Sequence, residues 1–285
     1  MFSLEWYYIT NRTKDTTITN YITENRALLE AIHLSCKEND IVCNFFSDDW
    51  VIKLQKNGQT RFIFGYIFDC NSHVSGTIAT DKVATYQLLA NNDIASVPHY
   101  LLSTVINPMI NTSMLEKLFK QHKSLVVKPL QGSRGNLVAK FGDRAGALKF
   151  IKNSQEISWV ASPYIDIKRE LRLVIFNGSI WLAYEKLDPK IIGNLKMFNV
   201  NLGAHVRNLE IGKLDRKIKV LAKRSMDAIG LKLGAVDIIL DDKENAYVLE
   251  INSGFSLEHY AQISPANRHN VLEFYKAVIS SLFVT

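Results

Sequence analysis

The sequence has no long apolar run and few cysteines, and each shortage excludes a class of protein. No apolar stretch approaches the roughly 18 residues that span a bilayer, and the first residues lack a basic segment followed by an apolar one. We therefore expect neither a membrane protein nor a signal peptide. The three cysteines, Cys36, Cys43 and Cys70, show no metal-ligand spacing. They indicate a reducing, cytoplasmic compartment in which each thiol acts as a small buried apolar side chain.

The charge balance favours an anionic ligand without identifying it. Lys and Arg number 34 against 28 Asp and Glu, which gives a net charge of +6. A positive excess suits a nucleotide as well as a nucleic acid. Because the basic residues form no long run and are not interleaved with aromatic residues, we expect no nucleic-acid partner. The composition, 47% hydrophobic and 22% charged, is that of an ordinary globular protein.

Hydrophobic periodicity predicts a mixture of strands and helices, with a region richer in strands from residue 159. Alternating apolar residues predict strands over residues 5–10, 40–46, 50–54, 61–68, 124–128, 137–141, 171–176, 179–185, 235–240 and 246–251. Helical spacing predicts helices over residues 27–36, 81–92, 113–121, 145–152, 214–229 and 271–282. The chain is therefore expected to be an α/β protein with several small subdomains.

Two strands near the C-terminal end carry the strongest chemical signal. Asp237 lies within an apolar run, and Glu250 and Asn252 lie two residues apart at the end of the next strand. Because side chains of a strand alternate, Glu250 and Asn252 project to one face, and a hairpin pairing places Asp237 beside them. Two carboxylates and an amide oxygen suit a hard cation such as Mg²⁺. The alternative is a solvent-facing strand edge, although an unpaired carboxylate in an apolar run is costly.

Three further segments have the character of a nucleotide site. Lys128 ends an apolar strand and precedes the loop Gly132, Ser133, Arg134 and Gly135, a point charge followed by exposed amides. A plain hairpin turn is the alternative for that loop, whose spacing matches no Walker motif. Lys82 opens a helix, where the dipole disfavours a cation; the alternative is a solvated surface lysine. The backbone after residue 162 is suited to a purine edge, but this segment alone is uninformative.

The order of these pieces resembles the ATP-grasp superfamily. It is most similar to the RimK-like glutamate ligases and to the ATP-grasp parts of glutathione and cyanophycin synthetases. The matching motifs, over about residues 75–260, are Asp-Lys at 81, Val-Val-Lys-Pro at 126, Gly-Ser-Arg-Gly at 132, Tyr-Ile at 164, Glu-Leu-Arg at 170, Lys at 186, Asn-Leu-Gly at 201, Gly-Ala-Val-Asp at 234 and Leu-Glu-Ile-Asn at 249. The ordered set is far more specific than any of its members.

The resemblance implies a role for each matching residue. Lys82 and Lys128 would bind the phosphates of the nucleotide. The lid over the β- and γ-phosphates would be formed by Gly132, Ser133, Arg134 and Gly135. The adenine meets the backbone at Ser162, Tyr164 and Ile165, and the ribose meets Glu170. One or two Mg²⁺ ions, or Mn²⁺, are held by Asp237, Glu250 and Asn252. The transferred phosphoryl group lies near Lys186 and Asn201.

Two departures from the family's pattern concern adenine and the lid. Leu137 stands where many relatives have a third glycine, and neither Ser162 nor Pro163 supplies the acid that many relatives carry in the adenine hinge. For the second substrate, arginine suits a carboxylate in bidentate geometry. The candidates for such a pocket are Arg172, Arg207, His205 and His259, each of which has a surface or core-edge position as its alternative.

The resemblance also implies a domain organisation and an activity. We expect a small α/β domain at 1–78, a central ATP-grasp subdomain with the lid at 79–160, and a C-terminal subdomain with the metal site at 161–285. The implied activity is an ATP-dependent ligase that joins a small carboxylate to an amine, amino acid or peptide, through an acyl phosphate. A nucleotide-binding regulatory protein and a phosphotransferase without an amine acceptor are the alternatives. A homodimer through sheet edges of the first domain is left open.

Overall fold

The fold is described by a computed structural model that covers residues 26–132, 136–192, 194–198 and 205–284. The contacts divide the chain into two compact units: residues up to Asp69 together with those from Ser256, and Cys70–Phe255. The three-domain division with boundaries at 78/79 and 160/161 stays a prediction. The strand expected over residues 5–10 lies outside the described residues.

Helices and groups of consecutive strands make up the described residues. The α-helices are α1 (Ala27–Glu38), α2 (His73–Thr80), α3 (Lys82–Asn91), α4 (Thr112–Gln121), α5 (Arg144–Lys152), α6 (Arg216–Ala228), α7 (Glu258–Gln262) and α8 (Pro265–Ser281). The strands are β1 (Val42–Phe46), β2 (Val51–Lys56), β3 (Gln59–Phe64), β4 (Ile67–Phe68), β5 (Tyr100–Ser103), β6 (Leu125–Pro129), β7 (Ala139–Phe141), β8 (Trp159–Pro163), β9 (Arg169–Phe176), β10 (Ser179–Lys186), β11 (Lys190–Ile192), β12 (Leu195–Met197), β13 (Val206–Asn208), β14 (Leu233–Leu240) and β15 (Ala246–Asn252). Strands β1 to β4 and β8 to β13 each follow one another directly.

The first unit is an antiparallel sheet in the order β1-β2-β3-β4 with helices α1, α7 and α8. The Glu258 carboxylate accepts hydrogen bonds from the first amides of α1, at 2.6 Å from Ala27 N. The buried Arg26 guanidinium lies over the rings of Trp50 and Tyr66, 5.2 and 4.9 Å from their centroids. It also donates to the Gly65 carbonyl at 3.0 Å. These contacts fix the start of α1 against the turn that joins β3 to β4.

We expect Gly65→Ala to destabilise this unit more than Gly58→Ala does. Both glycines have positive φ, +59° and +75°, but an added Cβ would lie 2.6 Å from the Trp50 ring at Gly65 and would meet nothing within 4 Å at Gly58. The left-handed backbone costs alanine roughly 1–2 kcal/mol at either position, and overpacking adds about 1–3 kcal/mol at Gly65 alone. Urea unfolding of both variants measures the difference. Equal losses would mean that Trp50 moves without cost.

The second unit contains a four-stranded and a five-stranded sheet, each with its own core, and the two-stranded sheet β11-β12. The sheet in the order β5-β8-β6-β7 packs against α4 and α5. The five-stranded sheet in the order β13-β10-β9-β14-β15 packs against α3 and α6. In β9 the side chains of Leu171, Leu173 and Ile175 enter that core, so Glu170 and Arg172 project from the opposite face. One face of this sheet is therefore apolar and covered, and the other carries charged side chains.

The predicted α/β fold class is confirmed, and the differences between predicted and observed elements are local. The helix expected over residues 81–92 is α3, which Asp81 caps by accepting from the amides of Val83 and Ala84. The short α2 was not predicted, because its β-branched residues and glycine disfavour a helix. Cys36, Cys43 and Cys70 form no disulfide and are half-buried rather than buried, which corrects that expectation. Within the described residues no helix is long and apolar enough to cross a membrane.

Candidate nucleotide and metal site

A charged cluster lies on the face of the five-stranded sheet opposite the apolar core. The register places Arg172 of β9 opposite Asp237 of β14, and Asp237 opposite Glu250 of β15. In the adjacent row, Lys186 of β10 lies opposite Glu170 of β9. These five side chains come from four adjacent strands, so pairing of the strands alone brings them together.

The buried Asp237 carboxylate is the centre of this cluster. Its two oxygens accept from Arg172 Nε at 2.7 Å and Nη2 at 2.6 Å, and Lys186 Nζ lies 3.2 Å from Oδ2. Asp237 is 0% exposed. Burial opposes its ionisation, but Arg172 and Lys186 outweigh burial and hold the pKa of the Asp237 carboxyl below its usual range. Burial and Arg172 work against the Lys186 ammonium, yet Asp237 and Glu170 raise its pKa above the ordinary lysine value.

The residues at the end of β15 provide oxygen donors beside this ion pair. Asn252 Nδ2 donates to Glu250 Oε1 at 3.2 Å, and both side chains are partly exposed. Glu250 lies opposite Asp237 on the neighbouring strand and contributes to the low pKa of the Asp237 carboxyl. Adjacent carboxylates repel each other unless a proton or a cation lies between them. A carboxylate offers about four lone-pair sites, and the described contacts leave Asp237 at least one.

This donor set therefore fits a hard divalent cation. Glu250 and Asn252 present a carboxylate and an amide on one face, and Asp237 adds a lone pair while it keeps its contacts to Arg172 and Lys186. In the part of the chain that the structure describes, no group of three or more His, Cys, Asp or Glu side chains is arranged to hold a metal ion, so this donor set depends on the Asn252 amide.

Two lysines complete the cluster from other elements of the same unit. Lys82, the first residue of α3, donates from Nζ to the Leu130 carbonyl at 3.1 Å. Lys128 of β6 is 8% exposed, and burial followed by the Lys82 charge lowers the pKa of its ammonium to about 8. Glu250 raises the pKa values of both lysines, against the larger effect of burial. Glu250 therefore interacts electrostatically with both lysines and also with Arg172.

The glycine-rich loop is described only in part. A Cβ added at Gly132 would lie 3.5 Å from the Cβ of Pro129. Leu137 adopts a left-handed backbone with φ 55°, a conformation that a glycine would adopt without strain. Ser133, Arg134 and Gly135, expected in the lid, and Asn201, expected near the phosphoryl group, lie outside the described residues.

The segment expected to meet adenine follows β8. Ser162 is 2% exposed and pairs with Val126 of β6. The Tyr164 amide donates to the Ser124 carbonyl, and Lys140 Nζ lies 3.4 Å above the Tyr164 ring centroid. The amide of Ile165 has no hydrogen-bond partner among the described residues. Of the three expected positions, Ile165 is therefore the one whose amide is available to a base.

Several candidates lie apart from the cluster or already have partners. Glu170, expected at the ribose, is buried and accepts from Lys186. Arg207 donates a hydrogen bond to Glu185 at 2.6 Å and lies opposite Glu185 in the strand register. Because Lys186 is the next residue after Glu185, the Arg207 side chain lies on the opposite face of the sheet from Lys186. His205 is exposed and contacts Asp188 at 2.8 Å. His259 belongs to the first unit. Only Arg172 of the four candidate acceptor residues lies in the cluster.

Comparison with known proteins agrees with the geometry. The RimK-like ATP-grasp domain matches residues 79–271. The chain belongs to this family, which confirms the expected ATP-grasp class.

A curated relative is the alpha-aminoadipate–LysW ligase LysX of Saccharolobus solfataricus, 25% identical over 214 residues that cover 72% of this chain and 71% of LysX. Among solved structures, a bifunctional glutathione synthetase from Pasteurella multocida matches with a TM-score of 0.58 and 13% identity. That match covers 89% of this chain but only 44% of the synthetase. A D-alanine–D-alanine ligase from Bacillus anthracis complexed with ATP matches with a TM-score of 0.54 and 18% identity, over 73% of this chain and 69% of the ligase. These structural similarities concern the fold, and all three proteins are ligases, as expected for this chain.

Proposed function

We propose that this protein is an ATP-dependent carboxylate–amine ligase that forms an amide through an acyl phosphate. The observation that carries the proposal is the charged cluster of the second unit. It combines four cations with three carboxylates, namely Lys82, Lys128, Arg172 and Lys186 with Glu170, Asp237 and Glu250. A site of this composition can offset the charge of a triphosphate and of a second anionic substrate at once.

The reaction proposed here has two steps. An oxygen of the substrate carboxylate attacks the γ-phosphorus, the bond to the bridging oxygen of ADP breaks, and ADP leaves. The amine nitrogen then attacks the acyl carbon, the carbon–oxygen bond to the phosphate breaks, and inorganic phosphate leaves as the amine loses a proton to water. Lys82 and Lys128 bind the nucleotide phosphates, and the Lys186 ammonium faces the transferred group. The protein contributes position and charge, since phosphoryl transfer needs little else.

One or two Mg²⁺ ions would be held by Glu250, Asn252 and the remaining lone pair of Asp237. Bound there, Mg²⁺ would neutralise phosphate charge. Arg172 then orients the Asp237 carboxylate by its two hydrogen bonds. The adenine contacts at Ser162, Tyr164 and Ile165, the lid at 132–135 and the role of Asn201 remain part of this proposal.

The substrates are proposed by class only. The names of LysX and of the two solved ligases each contain an amino acid or a peptide as substrate or product. An amino-acid or peptide carboxylate and an amine are accordingly proposed here, with the reaction in the cytoplasm. The homodimer stays a prediction.

The experiment is ADP and phosphate release from Mg-ATP by the purified protein, against separate pools of amino acids, short peptides and simple carboxylates. We expect one pool to stimulate release and to yield a new amide mass. A phosphorylated product without an amide would identify a phosphotransferase. Binding of ATP without release in any pool would favour a regulatory protein and contradict the ligase.

The affinity for Mg-ATP is expected to fall as the pH rises through about 8. Burial and the neighbouring Lys82 lower the pKa of Lys128 to about 8, so its ammonium is present below that pH and its neutral amine above it. A neutral amine no longer attracts phosphate. Isothermal titration from about pH 7 to about pH 9.5 should show this decline in the wild type and a weaker, flatter profile in Lys128→Met. Parallel profiles would contradict the assignment of Lys128.

A further inference from the structure

His99 is a buried histidine next to the sheet that carries Lys128. Leu101 and Lys128 both lie opposite Val160, so all three side chains share one face of the sheet β5-β8-β6. His99 lies directly before β5, two residues from Leu101, and the charges of Lys128 and Lys82 both act on its ring. The opposite face is the apolar core formed by Leu102, Leu125, Val127 and their neighbours. His99 is 3% exposed, so the protein encloses it.

The hydrogen bonding of His99 fixes which ring nitrogen carries the proton. Nδ1 lies 2.8 Å from the Val97 carbonyl oxygen, and since a carbonyl only accepts, Nδ1 carries the hydrogen. Burial and the charge of Lys128 lower the pKa of His99 well below its ordinary value, so the ring is neutral. Nε2 is then an acceptor, and it is buried without a hydrogen-bond partner.

Lys128 presents the complementary group. Its ammonium has no hydrogen bond to any residue that the structure describes, whereas Lys82 donates to Leu130. Of the two lysines, Lys128 acts more strongly on His99. The buried acceptor His99 Nε2 would gain a donor if the largely buried Lys128 side chain rotated toward the ring.

We propose that His99 is a positioning residue for Lys128: its Nε2 accepts one hydrogen of the Lys128 ammonium and directs the other two toward a bound phosphate. We expect this contact to need no ligand, because rotation of the Lys128 side chain is enough to form it. Only the identity of the anion as a nucleotide rests on the proposed function. Neutral His99 performs this role because an imidazolium would repel the ammonium and lack an acceptor.

The first test needs no nucleotide. Side-chain ¹⁵N NMR of histidine-labelled protein, with the His99 signals assigned from His99→Gln, should show a neutral ring with the proton on Nδ1 and a hydrogen-bonded acceptor at Nε2. In Lys128→Met the Nε2 signal should move to the position of a free acceptor. A ring protonated at Nε2, or one that Lys128→Met leaves unchanged, would overturn the proposal.

The second test is a double-mutant cycle on Mg-ATP binding. His99→Leu should weaken binding by about tenfold, the upper range for one hydrogen bond, and His99→Gln, which keeps an acceptor, should stay close to the wild type. In the Lys128→Met background, His99→Leu should have no further effect. Additive losses, or equal losses in both His99 variants, would overturn the positioning role. If the folded wild type fails to bind Mg-ATP, the proposed function fails, and the NMR result still decides the His99–Lys128 contact.

Discussion

Glu250→Gln is expected to abolish Mg²⁺-dependent ADP release while leaving the fold intact. The substitution keeps the shape of a partly exposed side chain but removes the charge that faces Lys82, Lys128 and Arg172. It also removes the carboxylate best placed to hold a cation, because Asp237 is already engaged by Arg172. Loss of even an outer partner of a metal ligand costs about 10- to 100-fold, so we expect a loss of about 100-fold or more.

The matched control is Glu244→Gln. Glu244 lies in the turn between β14 and β15, where it contacts Lys168 at 2.7 Å in an exposed ion pair. The Glu244→Gln variant should release ADP at the wild-type rate. Circular dichroism of both variants checks folding. Normal Mg²⁺-dependent release by Glu250→Gln would show that the cation, or the nucleotide, binds elsewhere.

The second large effect is expected for Arg172→Met, in stability as well as activity. Removing the guanidinium leaves the fully buried Asp237 carboxylate with Lys186 alone. Breaking a buried ion pair by removing one partner costs about 3–5 kcal/mol, since the other charge remains buried without compensation. Because Lys186 still compensates part of that charge, we expect a loss of about 3 kcal/mol in the free energy of unfolding, measured with urea.

Two further variants separate this effect from a general loss of charge. Arg144→Met removes an exposed partner of Glu116 and should leave the unfolding midpoint nearly unchanged. Arg172→Met combined with Asp237→Leu removes both charges and should recover a large part of the stability, though not the activity. If Arg172→Met alone is as stable as the wild type, the ion pair with Arg172 does not stabilise the buried Asp237 carboxylate.

The strands β14 and β15, which carry Asp237, Glu250 and Asn252, could be predicted from the sequence because their pattern is local. Asp237 stands in an apolar run, Glu250 and Asn252 have strand spacing, and one short turn joins the two strands. Period-two alternation then predicts their common face, and the observed register places Asp237 opposite Glu250. Which of these residues bind a metal stays a prediction.

The contacts of Arg172 and Arg207 depended on distant pairing and could not be predicted. Arg172 is 65 residues from Asp237 in sequence, and only the pairing of β9 with β14 brings them together. A one-residue change of register reverses the face of a side chain, and the pairing of β13 with β10 turns Arg207 toward Glu185. His99 gave no sequence signal, because a lone histidine before a strand acquires meaning only from the neighbouring strands.

The activation of a carboxylate by ATP is tested most directly by isotope transfer. The pool that stimulates ADP release would be supplied with both carboxylate oxygens as ¹⁸O, and the inorganic phosphate released would be analysed by mass spectrometry. An acyl phosphate keeps a carboxylate oxygen on phosphorus when the amine displaces the phosphate, so the account predicts one ¹⁸O atom in each phosphate released. Phosphate without the label, formed together with ADP, would show that the carboxylate never attacked phosphorus and would contradict the ligase mechanism.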